Sequence, residues 1–417
     1  MTRSAYAFSF VSDVIPIYGL YALLFVHAGL SPATISGLFA LWSGTGLVCE
    51  VPTGALADRF SRRTTVVVAE VAKAAGFAVW ALFPVLPGFA VGFMLWGGGG
   101  SLATGAFEAL LYDGLAAAGA SASYPRVYGR VRALNLIAQL PAALAGAGLY
   151  LLGGFALAGW ASVGVCLLAA AVATRLPEVP RSDREGGDEL GYFATLRSGV
   201  VEAMANPAVR IAVVAVASLA AVDVLEEYFP LMAHDWGVPT AWNPIAVVGI
   251  PVVGAVGAAL AGRTGRLRAG YLPLLLLAGA ALLGLAGLVA RPAGLAAVAG
   301  FYALYQVVMV IVESRLQDRI DGARATVTSV AALLVEVMSF AFYAVWAVGG
   351  VLGSAVALLP VAAMVAAAHV PGRRRGRPRQ ADVDMTPNPD AAPDPVPRGS
   401  GVAELHAQVA VEDAGAE

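Results

Sequence analysis

Long unbroken apolar runs, divided by short breaks that often carry arginine, dominate this chain. Twelve are predicted to be helices, over residues 5–28, 32–56, 64–84, 88–113, 127–152, 155–174, 208–233, 242–262, 270–290, 292–314, 325–347 and 352–370. Each holds about 20 residues or more, which at about 1.5 Å rise per residue spans a hydrocarbon core of roughly 30 Å. Within lipid a helix pairs all its own backbone groups, whereas an open strand leaves them unpaired. A β-barrel is excluded because the runs are continuous and do not alternate. The division between the ninth and tenth runs rests on Arg291 and Pro292 alone.

Composition agrees with a bilayer environment. Hydrophobic residues make up 59% and charged residues 13% of the chain, against about 45–50% and about 25% in ordinary soluble domains. A net charge of -2 supplies no global field for nucleic acid. Cys49 and Cys166 fall in different apolar runs and read as small buried hydrophobes rather than a disulfide or a metal site. The first run follows Arg3 closely and is too long for the apolar core of a cleavable signal, so it is expected to remain as a helix.

Arginines mark every second connection. Arg59, Arg62 and Arg63 follow the second run; Arg126, Arg130 and Arg132 lie at the four–five connection; further arginines fill the six–seven, eight–nine and ten–eleven connections and flank both ends. The intervening connections hold only Arg291. The excess of positive charge in cytoplasmic loops then places both termini in the cytoplasm of a multi-pass inner-membrane protein. Four regions follow: a six-helix bundle over 1–175, a cytoplasmic linker over 176–206, a second six-helix bundle over 207–371, and a tail over 372–417. In the linker, Phe193, Leu196, Val200 and Met204 recur at helical spacing and predict a short amphipathic helix. Rich in Pro, Asp and Ala, the tail is expected to be disordered.

The two bundles echo each other. Asp13-Val14 with Tyr18 returns as Asp223-Val224 with Tyr228. Leu56-Ala57-Asp58-Arg59 returns in degraded form as Leu260-Ala261-Gly262-Arg263, and Glu108 and Asp113 return as Glu313 and Asp318. The offsets all lie between 204 and 210, each joining a run to the one six places later. That is a parallel six-plus-six duplication.

Gly54-Ala55-Leu56-Ala57-Asp58-Arg59-Phe60-Ser61-Arg62-Arg63 resembles the signature loop of the major facilitator superfamily, Gly-x-x-x-Asp-Arg-x-x-Arg-Arg/Lys. It stands where that family carries it, between helices two and three, and the resemblance covers residues 1 to about 370. Ser61 stands where many members have glycine, a mild departure. Resemblance implies an all-α membrane fold of two pseudo-symmetric six-helix bundles. It also implies that the loop is a latch stabilising the outward-open state, formed here by Gly54, Asp58, Arg59, Arg62 and Arg63. Asp113 near the same rim is expected to pair with a neighbour such as Arg130.

Acids inside apolar runs carry the candidate chemistry: Asp13, Glu50, Glu108, Asp113, Asp223, Glu226, Glu227, Glu313 and Glu336. A carboxylate at mid-bilayer costs about 2.5–3.5 kcal/mol on insertion scales, so it must face water, meet a cation or carry a proton. The single lysine, Lys73, has Glu70 one turn away as its expected partner. In the family fold, helices one, four, seven and ten line the cavity, and seven of the nine acids lie on those helices. Asp13 and Glu336 are deepest, followed by Glu108 and Glu313; with Glu50 these are the proton-coupling candidates. Asp223, Glu226 and Glu227 are expected toward the outer mouth. Tyr18, Tyr112, Asp223, Glu226, Tyr228, Tyr302, Tyr305, Gln306 and Met309 are the substrate-cavity candidates, the last four sharing much of one face of the tenth run.

Gly97 to Gly100 precedes no Lys-Ser/Thr, so it reads as close helix packing or a hinge, not a phosphate loop. Neither a nucleophile motif, zinc spacing nor a nucleotide-binding lysine is present, which argues against an enzyme or a primary pump and against a resident cofactor or metal. The expected function is monomeric secondary transport, proton-coupled export of a small lipophilic or cationic molecule. Proton-coupled uptake of a small metabolite is the alternative, because the fifth run has Pro141, Gly146 and Gly148 without the Gly-Pro pair of many drug antiporters. A receptor or scaffold retaining the fold is a remoter possibility.

Overall fold

In a computed structural model, residues 2–59, 61–178, 207–263, 268, 270–317 and 324–369 are described. The expected linker helix and the tail both lie outside them, as do Asp318 and Arg319. All regular structure among the described residues is helical. The helices are α1 (Thr2–Asp13), α2 (Tyr21–His27), α3 (Pro32–Arg59), α4 (Arg62–Leu82), α5 (Leu86–Ala117), α6 (Tyr124–Ala173), α7 (Pro207–Ala220), α8 (Phe229–Asp235), α9 (Asn243–Arg263), α10 (Tyr271–Val289), α11 (Gly294–Gln317) and α12 (Arg324–His369). Eight stretches among the described residues are long and apolar enough to cross a membrane.

Two helices are longer than any bilayer requires, and glycine explains both. Inside α6, Gly153 and Gly154 leave helical geometry, Gly154 with φ 63°. Gly146 lies against the Pro16 carbonyl, while Ser162 Oγ accepts from Ile17 N–H at 3.0 Å. Residues 146 and 162 would stand about 24 Å apart on a straight helix. Since both reach neighbouring residues, the chain turns back between them. Gly350, with φ 52°, breaks α12 in the same way. Side chains with a Cβ rarely adopt this left-handed backbone.

The first and seventh apolar runs, each expected to be one helix, are both interrupted. In the first, α1 ends at Asp13 and a 3-10 turn follows at Pro16–Gly19. Pro16 has no N–H to donate and its ring displaces the carbonyl four residues earlier. That carbonyl, Ser12 O, instead accepts from Lys73 Nζ at 3.2 Å. In the seventh run, a 3-10 stretch at Ala221–Tyr228 separates α7 from α8 and ends two residues before Pro230. Breaks at matching places in the two halves extend the sequence duplication to backbone geometry.

Glycine sets the closest approaches. A Cβ on Gly97 would lie 2.9 Å from the Trp42 carbonyl of α3, and one on Gly99 2.9 Å from the Ala69 carbonyl of α4. The four-glycine run therefore packs α5 against helices on two sides. Between α10 and α11, Ala290 adopts a left-handed cap with φ 44°, just before Arg291 and Pro292, and the two helices are distinct.

At the end away from the basic loops, the halves meet through a dense aromatic core. Phe25, Phe39, Phe93 and Tyr228 are buried there, and Tyr228 stacks on Trp346 with ring centroids 4.2 Å apart. Gly19 abuts Pro244 across the same junction.

Candidate functional site

Below that aromatic plug, a cavity of about 1040 Å³ separates the halves. It runs from Arg62 and Glu108, at the end bearing the basic loops, to Glu226, Glu227 and Tyr343. α3 contributes Trp42 and Ser43, α5 contributes Trp96 and Ser101, α11 contributes Tyr305, Gln306 and Met309, and α12 contributes Glu336. The broken seventh run supplies Asp223, Glu226 and Glu227. Interrupted helices at matching positions are a structural pointer to transporter binding sites.

Five carboxyl groups line this space: Glu108, Asp223, Glu226, Glu227 and Glu336. Among the described residues, Arg62 is its sole basic lining residue, and it pairs with Asp113. Asp223 is exposed to the cavity and the other four are half-buried, so the wall is wet and acidic. Tyr302 Oη stands 2.9 Å from Asp223 Oδ1 and 3.1 Å from Glu226 Oε2. A phenol has one hydrogen to give. Both contacts are satisfied when one carboxyl accepts that hydrogen and the other, protonated, donates to the phenol oxygen. The 3-10 winding of Ala221–Tyr228 brings the two acids to one hydroxyl.

Among the described residues, several hydrogen bonds span the halves around the closed end. Tyr21 donates to Glu227, Ser43 donates to Glu336, and Tyr228 Oη reaches Ser36 Oγ at 2.9 Å. Two cavity acids are thus contact points between the bundles as well as cavity lining.

The profile of the Major Facilitator Superfamily matches residues 4–301. This chain belongs to that superfamily. No curated protein matches it by sequence. Among solved structures, the nucleoside transporter NupG aligns at 11% identity over 88% of this chain and 97% of its own, with a TM-score of 0.65. A bacterial homolog of the human lysosomal transporter Spinster, inward-facing and unoccupied, aligns at 16% identity over 88% and 95%, also at 0.65. A D-xylose–proton symporter aligns at 15% identity over 87% and 95%, at 0.59. These likenesses show the fold, and the family match together with the long apolar helices makes the chain a multi-pass membrane protein.

The superfamily's signature loop is partly visible. Gly54, Asp58 and Arg59 belong to the last turns of α3, but their side chains, with that of Glu50, lie outside the described residues. Ser61 caps α4 by accepting from Thr64 N–H at 3.1 Å, and its hydroxyl donates to Glu178 at 2.6 Å. Serine thus contributes a cap where glycine has none to give. Arg63 reaches Glu178 at 3.8 Å. Asp113 pairs with Arg62 and not with Arg130, which is exposed.

Other sequence-selected residues separate into groups. Glu108 accepts from Tyr128 Oη at 2.6 Å, with Arg132 at 3.9 Å. Asp13 does not line the cavity; it lies within electrostatic reach of Lys73 and Arg132. Glu313 and Tyr112 are exposed and do not line it either. Tyr18 lines a smaller side pocket, stacked on Trp96. Tyr228 and Tyr302 are buried behind the wall, where they hold Ser36 and the Asp223–Glu226 pair. Asp223, Glu226 and Glu227, expected at an outer mouth, instead form the cavity's inner wall, because the 3-10 stretch redirects them. Trp96, Ser43, Tyr21 and Tyr343 were not selected from sequence. Trp96 alone carried a signal, being next to the four-glycine run.

Proposed function

We propose that this chain is a proton-coupled secondary transporter of twelve spans, six in each half. Both termini would lie in the cytoplasm of the inner membrane, and the structure would correspond to the state open to the cytoplasm. Twelve spans follow if α6 and α12 each count as two and the interrupted first and seventh runs each count as one, with α5 included. The observation that carries the transport reading is the cavity between the halves, with five carboxyl groups and one already paired arginine. Such a wall favours a cationic or neutral lipophilic molecule, exported in exchange for protons by a monomer. The Asp223–Tyr302–Glu226 arrangement supports coupling, since its hydrogen bonding is complete when one proton is bound there.

Uptake of a small metabolite by symport is the second reading. It is favoured by the indole rings of Trp42 and Trp96, 4.9 Å apart, in a cavity that Gln306 also lines, a lining that suits a flat polar ring.

Acid-loaded everted vesicles test both. Addition of a transported cation is expected to alkalinise the lumen; acidification would establish symport. Glu226→Gln and Glu227→Gln are each expected to lower gradient-driven transport by about tenfold or more. Glu313→Gln, away from the cavity wall, is expected to stay within about twofold. Full activity in both cavity variants would overturn the coupling assignment.

A further inference from the structure

A second opening, of about 450 Å³, lies between the arm of α6 around Ala143 and α9. Ala143, Val247, Val248 and Pro251 give it apolar walls, and Glu226 and Glu227 stand at its inner end. Trp42 and Trp96 line it together with the main cavity, so the two spaces share an acidic, aromatic floor. Among the described residues, its lining includes no basic side chain. On the outer surfaces of the two helices beside it, Leu140, Leu144 and Val252 are exposed. In a membrane-spanning bundle those side chains meet acyl chains, so the opening faces lipid rather than water. Gly19 packed on Pro244 closes its end farthest from the basic loops.

We propose that this opening is a side entrance from the bilayer for single-chain cationic amphiphiles, which place a charged head against Glu226 and Glu227 and an alkyl tail between α6 and α9. The inference rests on the transport reading above and names its substrate class and route. Two features on the same path make the match. Charge of the complementary sign sits at the inner end, and the walls are mostly apolar, with Gln139 and the rings of Tyr18 and Tyr21 as their polar members. A permanently charged head held in lipid gains from reaching a carboxylate, while its tail loses nothing by exchanging acyl neighbours for valine and proline.

The test uses the full chain in proteoliposomes and two permanently charged probes, dodecyltrimethylammonium and tetramethylammonium. Wild type is expected to carry the long-chain probe. Ala143→Trp and Val248→Trp, which fill the opening, are each expected to cut that transport by about tenfold, an overpacking effect confined to the side route. Tetramethylammonium, which fits the large cavity without a tail, is expected to change by less than twofold or so. The smaller fillers Ala143→Leu and Val248→Leu, checked for monodispersity and unchanged Tm, guard against misfolding and are expected to give an intermediate loss. Equal loss of both probes, or loss of neither, overturns the side entrance. Carriage of tetramethylammonium alone by wild type overturns it while leaving the transport reading intact. Carriage of neither probe, nor of any substrate in a broader screen, overturns both.

Discussion

Lys73 shows how one side chain links a backbone defect to electrostatics. Pro16 frees the Ser12 carbonyl, and Lys73 Nζ takes it at 3.2 Å while lying 3.0–3.1 Å from both Glu70 oxygens. Glu70 is almost fully buried. Removing one partner of such a pair strands the other charge, at a cost of about 3–5 kcal/mol. Lys73→Met is therefore expected to lower the Tm of the purified protein sharply, and Glu70→Gln added to it should recover part of the loss. A Tm unchanged in the single variant would contradict the assignment. The pair was legible in sequence because its members are one turn apart and the lysine is unique. Its second task was not, since that depends on α4 packing beside the break at Pro16. Arg62 and Asp113 are more accessible and are worth at most about 1 kcal/mol. Swapping them, as Arg62→Asp with Asp113→Arg, is expected to leave Tm nearly unchanged.

Glycines and breaks decide the architecture of the helices. Gly350 sits where a Cβ is strained, so Gly350→Ala is expected to cost about 1–3 kcal/mol, read as a lower Tm. The same change at Gly148, which has open space and ordinary backbone, should be near neutral. Continuous apolar runs pointed to an all-helical chain, including the marginal division at Arg291. They passed over the interruptions at residues 14–20 and 221–228, because hydropathy alone does not register a local change of winding. Pro16 and Pro230 were available as signals. Their consequence was largest for Asp223, Glu226 and Glu227, which helical arithmetic assigned to a mouth and the 3-10 stretch turned into the cavity wall. Asp13 and Glu313 went the other way: depth along a helix ranked them highly, whereas facing is set by packing, of α1 against α6 and of α11 against α9 and α10.

Across the bundle, the duplication, the basic alternation and the signature loop made the superfamily legible from sequence, while the partners across the interface were not. Tyr21, Ser36, Ser43, Glu227, Tyr228 and Glu336 are among the contacts that any opening of the closed end must break. Hydrogen bonds between membrane helices average about 0.6 kcal/mol. Tyr228→Phe is thus expected to shift the balance between states by about threefold toward opening of the plugged end, measurable by spin-label distances across that end. Alternating access itself is tested most directly by labelling Ser101→Cys in a chain lacking Cys49 and Cys166, with a membrane-impermeant thiol reagent applied from either side. Ser101 lines the cavity beside Trp96. Without substrate, modification is expected from the basic-loop side alone, and with substrate and a proton gradient it is expected from the opposite side as well. Modification from one side under every condition, or from neither, would contradict a moving passage between the halves.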